Sequence, residues 1–184
     1  MEAKELFFAI VRLLFHNNAL WRELKESIVG KEPSVLREYA VPVIALVQLA
    51  KFPLIALPRP AMFLGITSFL VDIAALYLIV GGVVSLLRKE RSESLKALVL
   101  TVICYSMTPV WLGELLYFTG SWSLLFALLA LSYSIVISRN GLMVMLNLDK
   151  KLFRTALGNI MFFVAIVNSV VFVLINAAIR LFNI

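Results

Sequence analysis

The chain has one cysteine, Cys104, and one histidine, His16, among 184 residues. A lone cysteine forms no disulfide within its own chain, and one residue of each kind builds no His/Cys metal cluster. Charge is scarce as well. Only 15% of residues are Asp, Glu, Lys or Arg, where a soluble domain carries about a quarter. Catalytic signatures are missing: there is no His-Glu-x-x-His and no Gly-x-Ser-x-Gly. No pair of intramembrane aspartates exists either, because Asp72 is the only Asp inside an apolar run. An enzyme is therefore not expected, and neither is a cofactor. No basic domain with interleaved aromatics is present, which argues against nucleic acid as a partner. The first apolar stretch, Phe7 to Phe15, is short, contains Arg12 and lacks a small-residue cleavage pattern, so it is not expected to be a cleavable leader.

What the chain does have is apolar length. Hydrophobic residues make up 62% of it, and its mean hydropathy is +0.98. Five long apolar runs stand between short charged breaks, at about 39–57, 63–87, 97–118, 121–138 and 157–179. About 20 apolar residues are what a helix needs to cross the hydrocarbon core. In lipid each segment must satisfy its own backbone N–H and C=O groups, so each run is expected to be a helix. The expected fold is all-α: a polytopic bundle of five transmembrane helices over 39–184, preceded by a cytoplasmic amphipathic arm over 1–38.

Basic residues set the expected orientation. Of the 17 Lys and Arg residues, fourteen lie in 1–38, 88–96 and 139–154. Arg59 and Arg180 fall on the opposite side, and Lys51 lies within a run. The positive-inside rule then places the N-terminus and both basic breaks in the cytoplasm, and an odd span count places the C-terminus outside. The net charge of +6 is read as this bias. In the arm, Leu6, Phe7, Ile10, Val11, Leu13 and Leu14 oppose Glu2, Lys4, Glu5 and Arg12. That pattern predicts a helix on the membrane surface. His16-Asn17-Asn18 breaks it, and a second helix over about 19–29 would carry Trp21, Leu24 and Ile28 on one side.

Charge inside hydrocarbon is costly and needs a partner or water. Lys51 is expected toward the outer part of the first span, Asp72 near the middle of the second and Glu114 near the outer end of the third. Lys51 could reach either carboxylate. Gln48 lies one turn before Lys51 on the same face. Gly65, Ser68, Asp72, Ala75 and Gly82 recur at helical spacing, which turns Asp72 toward other helices rather than lipid. These residues form the candidate polar site: either a buried ion pair that fixes helix register, or a pathway for an ion, a proton or a lipid headgroup. In the fifth span Ser169, Asn176 and Arg180 share a face, and hydrogen bonds between helices are expected there. Cys104 is expected to pack as a small apolar residue.

Two prolines fall within or at the mouth of spans, in Glu38-Tyr39-Ala40-Val41-Pro42 and Cys104-Tyr105-Ser106-Met107-Thr108-Pro109. Here the chain resembles the Yip family, membrane proteins named for interacting with Ypt/Rab GTPases. That family has five spans, a cytoplasmic N-terminus, a short outer C-terminus, and the motifs Asp-Leu-x-Gly-Pro and Gly-Tyr-x-x-x-Pro. In the first motif Glu38 and Pro42 match, while Tyr39 replaces Leu and Val41 replaces Gly. In the second Tyr105 and Pro109 match, and Cys104 replaces Gly. The resemblance runs from about Trp21 to the C-terminus and looks closest to a compact, prokaryotic-type branch in a cytoplasmic membrane. It implies a non-enzymatic membrane-organising or protein-interaction scaffold. The implied partners are the lipid bilayer and another membrane protein or a second copy of the chain. A Rab-type GTPase is not among them, because the long polar arm of eukaryotic members is missing. The alternative is a small transporter, channel or lipid-handling protein that uses Lys51, Asp72 and Glu114.

Overall fold

The computed structural model describes residues 3–15, 17–28, 35–55, 58–87, 93–146 and 150–181. His16, and Arg88, Lys89 and Arg91 of the first basic break, lie outside the described residues. Among the described residues there are eight α-helices and no strand. They are α1 (Ala3–Phe15), α2 (Asn17–Ile28), α3 (Val41–Ala50), α4 (Pro58–Leu86), α5 (Glu93–Ser106), α6 (Thr108–Gly113), α7 (Ser123–Leu146) and α8 (Lys150–Leu181). A π-helical turn, Leu36–Ala40, leads into α3. 3₁₀ segments follow α3 at Phe52–Leu54 and α6 at Glu114–Trp122.

Three helical stretches are long and apolar enough to cross a membrane: Pro58–Leu86, Ser94–Leu146 and Leu157–Leu181. The five expected spans do not appear as five separate long helices, and the reasons are local. The run at 39–57 is helical only in pieces. Pro42 has no N–H for the carbonyl one turn back, and the preceding turn widens so that Val41 N–H bonds Leu36 C=O. Helix α3 then stops at Lys51, and Pro53 lies in the tighter 3₁₀ turn that follows. The runs at 97–118 and 121–138 lie inside one helical stretch. It is broken at Met107 and again at Gly120, whose φ of 62° is open to glycine. Beyond Gly120, α7 packs back against α5 and α6, so the stretch is a hairpin. The expected basic break at 139 also moves. Helix α7 continues through an exposed Arg139 to Leu146, because Gly141, Leu142, Met145 and Leu146 keep an inward face going.

Glycines set the closest approaches. A Cβ on Gly82 of α4 would stand 2.1 Å from the Phe163 ring of α8, so this glycine lets the two helices meet. A Cβ on Gly141 would meet both Trp21 and Val102 at 2.8 Å. The arm uses that notch. Trp21 is fully buried there, edge-on to Tyr105 with ring centroids 6.1 Å apart. Lys25 Nζ donates to Val144 C=O at 2.8 Å, a cation on the last carbonyls of α7 where the helix dipole favours it. Tyr133 Oη donates to Leu14 C=O. The end of α1 therefore lies beside the middle of α7. Arg12 and Glu23 tie α1 to α2 at 2.5 Å. That pair is exposed and worth at most about 1 kcal/mol.

Buried apolar residues form two clusters. The larger includes Val47, Leu76, Trp111 and Val164, together with Leu13, Leu20 and Trp21 of the arm. The smaller includes Ile55, Leu64, Tyr117 and Val171. Many large apolar side chains face outward instead, among them Leu70, Leu78, Leu129, Phe162, Val173 and Leu174. A soluble monomer would not leave such an area uncovered.

Candidate functional site

Between the two apolar clusters lies a polar layer. Along each contributing helical segment the polar residue falls between a member of one cluster and a member of the other. Lys51 stands between Val47 and Ile55, Asp72 between Leu64 and Leu76, Glu114 between Trp111 and Tyr117, and Asn168 between Val164 and Val171. Sequence separation hides this layer; the fold brings it together.

Lys51, Gln48, Glu114 and Asp72 make one connected network. Lys51 Nζ pairs with Glu114 Oε2. Lys51 Nζ also donates to Gln48 Oε1 at 2.7 Å, a contact that helical spacing makes available. Gln48 Nε2 donates to Asp72 Oδ2 at 3.0 Å and to Glu114 Oε2 at 3.3 Å. The orientation of the amide follows from its neighbours: an ammonium only donates, and a carboxylate only accepts. Lys51 is 1% exposed, Glu114 0%, Asp72 3% and Gln48 4%. These groups answer one another, not solvent. The choice left open by depth is settled in favour of Glu114 as the ion partner, and Asp72 is reached through Gln48. Asp72 also borders a small cavity of about 10 Å³ that it shares with Met107, Trp111 and Asn168. That is room for about one water molecule.

Removing charge from water costs several kcal/mol per ion, and only close geometry with further hydrogen bonds offsets it. Gln48 supplies those further bonds. One ammonium nevertheless faces two carboxyl groups in a dry layer.

The two family-motif segments meet nearby. Tyr39 is buried and its ring lies 4.1 Å from that of Tyr105, centroid to centroid. Tyr39 Oη bonds Thr108 Oγ1 at 2.8 Å. Thr108 Oγ1 spends its single hydrogen on Tyr105 C=O at 2.8 Å, so the tyrosine is the donor to Thr108. That carbonyl needs a donor because Pro109 has no N–H to offer it. The next carbonyl, Ser106 C=O, is met by Ser134 Oγ of α7 at 2.7 Å. Membrane helices tolerate proline where neighbours compensate in this way. Pro42 sits in the first turn of α3, where a missing N–H costs little. Glu38 is exposed at the mouth of the same segment, and Cys104 is fully buried.

The polar face expected on the last span resolves differently. Ser169 and Asn176 donate to their own helix, at Ala165 C=O and Phe172 C=O, and Arg180 is exposed. A hydroxyl or amide can always reach the carbonyl one turn back, which makes a partner helix unnecessary. Asn168 of the same helix faces the core instead: it donates to Val164 C=O at 2.8 Å and lies 3.7 Å from Met107 Sδ. Thr108, Ser134, Gly141 and Trp21 are the contacts that sequence reasoning missed or left without a role. A hydroxyl one residue before a proline was the available signal for Thr108.

The outward apolar surface and the membrane-length helices define an integral-membrane protein of the helical class. Within that class the chain belongs to the Yip family, since the Yip1 domain model matches residues 11–175. No curated protein and no solved structure matches the chain.

Proposed function

We propose that this protein is a non-enzymatic, membrane-organising scaffold of Yip type whose polar layer is structural. The carrying observation is the connected network: Lys51, Gln48, Glu114 and Asp72 bond to one another while almost wholly out of solvent contact, with Glu114 Oε1 alone left unpaired within it. A network of this kind fixes the register of helices that lipid alone would not discriminate. The chain crosses the membrane five times, at 39–57, along α4, along both arms of the Ser94–Leu146 hairpin and along α8. The N-terminus is cytoplasmic and the C-terminus outside, in a prokaryotic cytoplasmic membrane. The fourteen basic residues on one side support that orientation. The partners are membrane lipid and a second membrane protein or another copy of the chain. Phe7, Phe8 and Phe15, exposed along α1, give such a partner an apolar face.

One observation favours a transport reading: the layer holds one acid more than it holds bases, beside a cavity with room for a water. Flux measurements in proteoliposomes separate the two. The scaffold reading expects ion, proton and lipid flux equal to that of protein-free vesicles. It also expects a photo-crosslinker placed at Phe15 in native membranes to capture a protein. A flux that a folded Lys51→Met/Glu114→Leu double variant loses would replace the scaffold with a transporter.

A further inference from the structure

The polar layer has a charge count that its hydrogen bonds do not close. Among the described residues Lys51, Asp72 and Glu114 are the only buried charged side chains, one ammonium against two carboxyl groups. Tyr117, buried one turn beyond Glu114, lies near both acids, and a phenol is uncharged at neutral pH. Donors are shared unequally between the acids. Glu114 Oε2 receives both Lys51 Nζ and Gln48 Nε2, whereas Asp72 Oδ2 receives Gln48 Nε2 alone. Gln48 has then spent both of its amide hydrogens. Glu114 Oε1 is fully buried and receives no hydrogen bond. The Asp72 carboxyl lies within hydrogen-bonding reach of the Glu114 carboxyl, and two carboxyl groups bond each other only through a proton.

We propose that the layer is a proton-binding site: at physiological pH Asp72 is a neutral acid that donates to Glu114, and Glu114 is the carboxylate that balances Lys51. Two acids that share a site out of water do not ionise together. The one with the ammonium against it stays charged, and here that is Glu114. A proton on Asp72 leaves the layer without net charge and supplies a donor to the unpartnered Glu114 oxygen. The water-sized cavity is lined by Asp72 and Asn168, so a water there is placed to exchange with the acid that holds the proton. A held proton needs no flux, so its presence or absence leaves the flux test of the scaffold reading untouched.

The test is infrared spectroscopy of the full chain in phosphatidylcholine vesicles at neutral pH, read at the carbonyl stretch of a protonated carboxylic acid. The chain has two aspartates, Asp72 and Asp149, so aspartate labelled with heavy carbon at its carboxyl assigns the band without any substitution. The wild type should show one such acid per chain, its band shifted by the aspartate label and unchanged in Asp149→Asn. Asp72→Asn should abolish it and leave the unfolding midpoint where it was, because the amide offers Gln48 the same oxygen and Glu114 an N–H. Glu114→Gln should also abolish it, since Asp72 must then ionise to balance Lys51. A wild type without the band overturns the proton site, and a midpoint that then rises with sodium would mark a metal cation in its place. A band that ignores the aspartate label, or survives Glu114→Gln, overturns the division of roles between the two acids. A large rise in midpoint for Asp72→Asn would mean that a carboxylate's repulsion had been removed, and overturns it as well.

Discussion

Lys51 stands at the end of a short helix, with its charge buried against Glu114 and a second hydrogen bond made to Gln48. A single Lys51→Met replacement strands Glu114 in a dry layer and should cost about 3–5 kcal/mol. The double replacement Lys51→Met/Glu114→Leu removes both charges and should be more stable than either single variant, because buried pairs can often be exchanged for apolar residues of similar size. Unfolding midpoints in detergent measure all three. A double variant less stable than either single one would mean that the layer contributes more than charge balance. At this scale the sequence was informative about which residues matter and silent about who meets whom. Helix depth alone singled out Lys51, Asp72 and Glu114, because charge in hydrocarbon is conspicuous. Depth is one coordinate, however, and pairing needs the rotation of each helix about its axis. Gln48 illustrates the limit. Its position one turn before Lys51 was readable, but its bridge to Asp72 on another helix was not.

Helical elements carry the next lesson. Runs of apolar residues located the helices because backbone satisfaction in lipid leaves no other option. The same logic does not say where a helix tightens, widens or breaks. Pro109 shows why: its effect depends on Thr108 and Ser134 taking over the carbonyls of Tyr105 and Ser106, and Ser134 comes from the far arm of the hairpin. Ser134→Ala should leave a buried carbonyl unpaired and destabilise by about 1–3 kcal/mol. Thr108→Val should do the same and also free the Tyr39 hydroxyl. Because each residue serves a different carbonyl of one break, the double variant should depart from additivity by about 0.5 kcal/mol or more; strict additivity in denaturant unfolding would show the two carbonyls to be independent. The arm presents the same contrast. Its amphipathic pattern was legible, but the notch at Gly141 that receives Trp21 depends on a chance of spacing between distant helices. Trp21→Ala should cost about 3–5 kcal/mol, and Gly141→Leu should undock the same ring. Slowed amide exchange along α2 in the wild type, lost in either variant, checks both.

At the scale of the whole molecule, the two apolar clusters separated by a polar layer, with an apolar exterior, describe a bundle arranged across a bilayer. The hairpin at Gly120 carries the topological argument. Helices α5 and α7 pack against each other, so the segment joining them lies at one end of the bundle, and the start of α5 and the end of α7 lie at the other. On the proposed orientation that end is cytoplasmic. The chain is well suited to a direct test, because its only cysteine, Cys104, is fully buried and leaves the surface silent to thiol reagents. Ser94 and Thr119 are both exposed, at the start of α5 and in the turn of the hairpin. A cysteine at Ser94 should react with an impermeant maleimide only when the cytoplasmic face is opened. A cysteine at Thr119 should react in intact cells. Labelling of both from one side would remove the crossings of α5 and α7 and, with them, the five-span arrangement. Labelling of Ser94→Cys only from outside, with Thr119→Cys protected, would keep the hairpin but invert the molecule. The fourteen basic residues would then face outward.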